Sequence, residues 1–244
     1  MRKNIQPVIL FFCLLISIFF LSFQPLKKAL SPEGGSWHWQ EGSQEAIISF
    51  MDGYCAFTSY DQQHKKFDYT WGGPYKLEGT SIIIELQFHS RTKELAGTVF
   101  SFSVQFKNEQ LIASFRGGDA ANVWIQKDKG KAPLAGIWRI AGRKQGDQLT
   151  EMQLGSRRTL KILSASRFQW AAINIETKEF FGTGGGSYRF ENGKYIESIE
   201  FFSRDSSRVG ASLSFDGKIE NNEWHHSGLS SKGEPIYEIW KRIN

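Results

Sequence analysis

From residue 36 onward, apolar and polar residues alternate with period two over short stretches, broken by Gly, Asp and Asn. Successive side chains of an extended chain point to opposite faces, so this pattern predicts half-buried β-strands. In the first half of the chain it predicts strands near 36–41, 45–51, 54–60, 66–70, 73–78, 81–89, 97–106, 110–116 and 121–127, and a similar series runs to Ile243. Beyond the first 30 residues no stretch sustains the i, i+3, i+4 spacing of an amphipathic helix. Many short strands in about 100 residues suit a closed up-and-down barrel or a sandwich.

The pattern occurs twice. Residues 67–115 and 180–228 align without a gap at a constant shift of 113, and 15 of the 49 pairs are identical, among them Phe67/Phe180, Thr70/Thr183, Tyr75/Tyr188, Phe88/Phe201 and Arg91/Arg204. Gly35-Ser36-Trp37 opens the first copy as Gly136-Ile137-Trp138 opens the second, and Val123-Trp124 closes the first as Ile239-Trp240 closes the second. Each copy is therefore a whole small domain, unlike a solenoid unit, which buries a core only when stacked with several others. The expected organisation is a leader at 1–30, domain one at 31–128, a linker at 129–135 and domain two at 136–244. The Gly, Pro and charges of Asp128-Lys129-Gly130-Lys131-Ala132-Pro133 mark the join.

The leader has Arg2-Lys3, an apolar run from Val8 to Phe23 interrupted only by Ser17 and Ser22, and then Pro25 and Lys27-Lys28. It is the pattern of a secretion signal or a signal anchor, which places the protein outside the cell or in its envelope. Membrane association is expected only through an uncleaved residue 8–23 segment. Cys13 lacks the small residue that a lipoprotein signal carries before its cysteine, and Cys55 is the only cysteine beyond the leader, so no internal disulfide is expected in the mature chain.

The formal charge of +5 does not point to nucleic acid. Beyond residue 30 the chain carries 26 basic and 25 acidic residues, a balance of +1, with no basic cluster in the linear sequence. No Cys/His cluster has metal-ligand spacing, and no cofactor motif appears. Gly182-Thr183-Gly184-Gly185-Gly186-Ser187 lacks the Gly-Lys-Ser/Thr ending and the helix of a phosphate loop. Glycines before Tyr188 instead suit a bulge or the close approach of another backbone.

In the second copy, Gly136-x-Trp138, Gly184-Gly185-Gly186-Ser187-Tyr188, Gly193-x-Tyr195-x-Glu197-x-Ile199-x-Phe201, Trp224-His225-His226 and Glu238-x-Trp240-x-Arg242 follow one another. Nearly all of residues 136–244 thereby resembles the lipocalin-like (calycin) domains of uncharacterised secreted bacterial proteins. The resemblance implies an all-β protein of two tandem antiparallel up-and-down barrels. Paired β-sandwiches and one barrel shared by both copies are the alternatives. It also implies that Trp37, Trp138, Trp240 and Arg242 close the barrels, with Arg242 packed across Trp138. The first copy has Gln126 in place of Arg242.

Where the copies differ, the second carries costly groups at inward positions. The first copy alternates Ile82, Ile84, Leu86 and Phe88 on its core face, and the matched residues are Tyr195, Glu197, Ile199 and Phe201. Phe100, Phe102, Val104 and Phe106 match Leu213, Phe215, Gly217 and Ile219, while Leu111, Ala113 and Phe115 match Trp224, His226 and Gly228. A buried carboxylate is unfavourable unless paired or protonated, so Glu197 is expected to bond His226 or a tyrosine hydroxyl, or to stay neutral. Tyr188, Tyr195, Glu197, Trp224 and His226 then form a candidate site for a small apolar or amphipathic ligand, with space freed at Gly217 and Gly228. The alternatives are an enzyme using Glu197 and His226 as an acid–base pair, an envelope interaction module without a small ligand, and a self-satisfied polar network.

Overall fold

The computed structural model describes residues 34–107, 109–113, 121–146, 148–230 and 233–243; the leader, with Cys13 and the expected 8–23 segment, lies outside them, as does Phe115. Domain one contains β1 (Gly35–Glu41), β2 (Gln44–Met51), β3 (Tyr54–Asp61), β4 (Lys66–Glu78), β5 (Ser81–Glu85), β6 (Phe88–His89), β7 (Val99–Lys107), β8 (Gln110–Ala113) and β9 (Asn122–Asp128). Domain two contains β10 (Gly136–Gln145), β11 (Gln148–Glu151), β12 (Arg157–Leu163), β13 (Arg167–Asn174), β14 (Glu179–Glu191), β15 (Lys194–Phe202), β16 (Ser212–Glu220), β17 (Glu223–Leu229) and β18 (Pro235–Arg242).

Each sheet closes on itself. In the first, β3-β2-β1-β9-β8-β7-β5-β4 returns to β3, with β6 an appendage of β4. In the second, β10-β12-β13-β14-β15-β16-β17-β18 returns to β10, with β11 on its edge. The protein is thus two eight-stranded antiparallel barrels in tandem, not two sandwiches or one shared barrel. Tight hairpins hold the register: Asp52-Gly53, Asn192-Gly193 and Asn221-Asn222 all have positive φ at both turn residues, the turn whose twist matches that of its strands.

Three expectations for strands change. Segments 66–70 and 73–78 are one strand, because Gly72 and Gly73 carry it through a bend in close contact with its neighbours. A β-carbon at Gly73 would overlap the Glu85 carbonyl, and one at Gly186 the Ser198 carbonyl. The glycine run is therefore a place of close backbone approach. The expected strand 81–89 is split after Glu85, which turns Phe88 out of the barrel. Ile219, expected inward, is exposed.

Each barrel has its own core. Barrel one is filled by apolar side chains, including Ile48, Ile84, Ala113, Cys55 and the stacked pair Phe57 and Trp71, whose rings lie 4.9 Å apart. Trp71 and Tyr60 are buried, and His64 bonds Asp61 at an exposed turn.

A further apolar layer joins the barrels. Met51, Tyr54, Ala56 and Phe88 of the first pack on Ile137, Leu160, Ile162, Ala171 and Ile173 of the second. This interface has an approximate two-fold relation. Phe88 of barrel one stacks on Phe180 of barrel two at 6.0 Å, while Phe201 of barrel two packs at 5.0 Å on Tyr60, in a cluster that Phe67 borders. Phe88/Phe201 and Phe67/Phe180 are matched pairs of the repeat. Between them Gln169 donates to the matched hydroxyls of Thr70 and Thr183 at 2.9 and 3.2 Å. Tyr60 of barrel one donates to Glu200 across the same surface at 3.1 Å, and Arg167 of barrel two donates to the same carboxylate. The linker is anchored through Asp128, which accepts from the hydroxyls of Ser36, Ser164 and Ser166.

Candidate functional site

The site is built by strands β10, β12, β15, β17 and β18 of barrel two. The register places Trp138 opposite Lys161 as Trp37 lies opposite Ile48, so Lys161 occupies the position of a fully buried isoleucine. Glu197 occupies that of Ile84 and His226 that of Ala113. Glu238 takes the place of Asn122, since Trp240 pairs with Trp224 as Trp124 does with Leu111. Period-two alternation turns all four inward, into an interior that in the first copy carries no charge at the first three.

Glu197 has Lys161, not His226, as its close partner. Its Oε1 accepts from Lys161 Nζ at 2.8 Å, and both side chains are nearly sealed from solvent, at 7% and 6% exposure. Lys161 Nζ also lies 4.8, 4.9 and 5.3 Å from the ring centres of Tyr195, Trp224 and Trp240, an aromatic enclosure for the ammonium. Glu238 is held by Arg143 at 2.7 Å and by the Trp240 indole N–H at 3.1 Å, with His226 Nδ1 at 3.6 Å. Burial alone would raise Glu238, but His226, Lys161 and Arg143 together hold its carboxyl down at about 2. His226 moves down as well, because burial and the nearby Lys161 disfavour its cation. Neither of its ring nitrogens has a hydrogen-bond partner among the described residues, and the same holds for the Trp224 indole nitrogen and the Tyr195 hydroxyl.

A cavity of about 330 Å³ opens on this cluster. Its polar wall includes Lys161, Glu197, His226, Glu238 and Arg143, with Thr159, Arg208 and Ser230, and its apolar wall includes Trp170, Ile199, Phe202, Leu213, Phe215, Ile236 and Trp240. Of the five residues expected to bind ligand, Glu197 and His226 line it. Tyr195 and Trp224 lie behind them against Lys161 and His226. Tyr188 points elsewhere, donating to the Ser164 carbonyl at 2.6 Å. Gly217 and Gly228 free no space, because the rings of Phe190 and Phe215 sit 2.8 and 2.9 Å from where their β-carbons would be.

The expected closure residues divide. The Arg242 guanidinium lies 4.2 Å over the Trp138 ring and donates to the Ala135 and Pro133 carbonyls at 2.5 and 2.8 Å, while Trp138 donates to Leu134 at 2.8 Å. Trp37 packs edge-on against Phe50 and Phe106 opposite Gln126. Trp240 faces the cavity. A double-mutant cycle on Trp138→Phe and Arg242→Ala should give a coupling of about 0.5–2 kcal/mol by chemical denaturation, and strictly additive losses would mean that the stacking does not hold this end.

Sequence reasoning missed Lys161, Glu238 and Arg143. The signal for the first two is the same exchange that exposes Glu197, but Lys161 lies before the ungapped repeat and Glu238 after it. Arg143 belongs to an insertion: the shift between copies is 101 at Trp37/Trp138 and 113 at Phe67/Phe180, so the second copy holds twelve more residues between these points. The two-residue turn between β1 and β2 is replaced there by a longer β10, β11 and the segment to Arg157.

Residues 133–244 match the family model described as Domain of unknown function (DUF4488). No curated protein matches the chain. Among the described residues no group of three or more His, Cys, Asp or Glu is placed to hold a metal ion, and no helix is long and apolar enough to cross a membrane.

Proposed function

We propose that this is an exported tandem lipocalin-like protein whose second barrel binds a small, partly apolar ligand. One observation supports this most: the interior of barrel two exchanges Ile48, Ile84 and Ala113 of its twin for Lys161, Glu197 and His226, and these charged and polar groups border a cavity. A buried ion pair is often no more stabilising than an apolar replacement, so its presence in one copy and absence from the other favours use over architecture. Concave walls that are mostly apolar, with a few convergent polar groups, are the form of small-ligand sites. The engagement of Glu197 by Lys161 supports binding over proton transfer, because a general base needs its lone pair available to the substrate.

Native mass spectrometry of the protein purified from its own host tests the reading. A retained small molecule, lost from the double variant Lys161→Ile/Glu197→Ile, is the expected result. A molecule retained equally by that variant would place binding outside this cavity, and turnover across a panel of compounds related to the ligand would turn the reading toward an enzyme.

A further inference from the structure

A second cavity of about 600 Å³ adjoins the first, sharing Arg143, Thr159 and Trp170 with it. Its wall carries five arginines: Arg139, Arg143, Arg157, Arg158 and Arg204. Arg143 is neutralised by Glu238. The others are positioned without a carboxylate among the described residues. Arg139 donates to the Met152 carbonyl at 3.0 Å, Arg158 to Gly155 at 3.0 Å and Arg204 to Phe181, while Arg157 stacks on the Phe181 ring at 4.6 Å. Backbone carbonyls and, for Arg157, an aromatic ring orient these guanidiniums and leave their charge in place.

The twin barrel shows that this charge is not a requirement of the fold. There the positions of Arg139 and Arg158 hold His38 and Glu45, bonded to each other at 2.8 Å. The position of Arg204 holds Arg91, paired with Asp68, and Asp68 is matched in barrel two by Phe181. The second copy has thus lost both carboxylates and gained guanidiniums, and like charges gathered in this way repel unless an anion joins them. The cleft also has an apolar side formed by Trp170, Ala172 and Phe181, and the inserted segment adds the exposed Met152 and Leu154.

We infer that the ligand of barrel two is a soluble amphipathic anion, its acid group held in the arginine cleft and its apolar body directed through the shared wall into the inner cavity. Arginine suits carboxylate, sulfonate and phosphate alike, since its planar fork meets two oxygens at once. The inference rests on the ligand-binding reading above but is separable from it.

The test uses the full chain and two fluorescent probes of nearly the same ring system, anionic 1-anilinonaphthalene-8-sulfonate and neutral N-phenyl-1-naphthylamine. The sulfonate should bind the tighter, with one site per chain, and weaken as salt rises. Arg158→Glu, which restores the residue of barrel one, should weaken the sulfonate by about tenfold and leave the neutral probe unchanged, while Phe181→Asp, which also removes part of the apolar side, should weaken the sulfonate more than the neutral probe. Equal, salt-independent binding of both probes would overturn the anion inference and leave the cavity reading standing. Sulfonate binding that responds to the cleft variants but is untouched by Lys161→Ile/Glu197→Ile would confine the site to the cleft and remove the inner cavity from it. Failure of both probes would overturn both readings. Co-sedimentation with phosphatidylglycerol vesicles without binding of the soluble sulfonate would assign the arginines to a membrane surface and overturn the inference.

Discussion

Lys161→Met should destabilise the protein by about 3–5 kcal/mol, the cost expected when one partner of a buried ion pair is removed and the other is left without a counter-charge. Glu197 is only 7% exposed, so it has little solvent to turn to once the ammonium is gone. The converse change, Glu197→Ile, is unfavourable for the same reason: it leaves a cation enclosed by Tyr195, Trp224 and Trp240. The double variant Lys161→Ile/Glu197→Ile carries the barrel-one residues at both positions and should recover most of either loss while abolishing ligand binding. Urea denaturation of the three variants gives the coupling directly. Two single variants each costing under about 1 kcal/mol would mean that solvent reaches the pair freely and that the pair is not enclosed.

Acid should weaken barrel two through Glu238. Its carboxyl is held at about 2 in the folded protein against an ordinary 4.5, so the unfolded chain takes up a proton first as pH falls. The stabilisation is fully present above pH 4.5 and is lost as pH falls toward 2. His226 acts in the same direction at higher pH. Its folded value lies below 6.5, so the unfolded chain binds the extra proton and stability begins to fall as pH drops through 6.5. Comparison with Glu238→Gln isolates the carboxyl from other acids. The stability gap between wild type and variant should be widest above pH 4.5 and should close toward pH 2, and a gap that does not change with pH would mean that Glu238 has no charge-dependent role.

The two barrels were legible in the alternation of apolar residues and in the repeat because both patterns are local or nearly so. Glu197 and His226 were legible for a related reason: each stands on an alternating strand where the other copy keeps an apolar residue. Their partners were not. Lys161 and Glu238 come from strands outside the ungapped repeat, and their meeting depends on the barrel closing. Space was misread for a different reason. Gly217 and Gly228 suggest voids when residues are counted along a strand, but Phe190 and Phe215 reach into the same places from their neighbours. The arginine cleft was hidden by a net charge of +1 beyond the leader, since the overall balance does not show how like charges on β10, β12 and the segment after β15 converge.

The approximate two-fold between the barrels matters for what each was free to become. If two identical chains met through Phe88 on Phe180 and through the matched threonines, every substitution would appear on both sides at once. An interior given a lysine and a glutamate would bear the desolvation penalty twice, and a surface stripped of Glu45 and Asp68 would double its repulsion. Within a single chain the halves mutate separately. The apolar barrel can serve as a stable partner surface for a sibling whose interior is less favourable, and a contact built by symmetry now joins two unlike interiors.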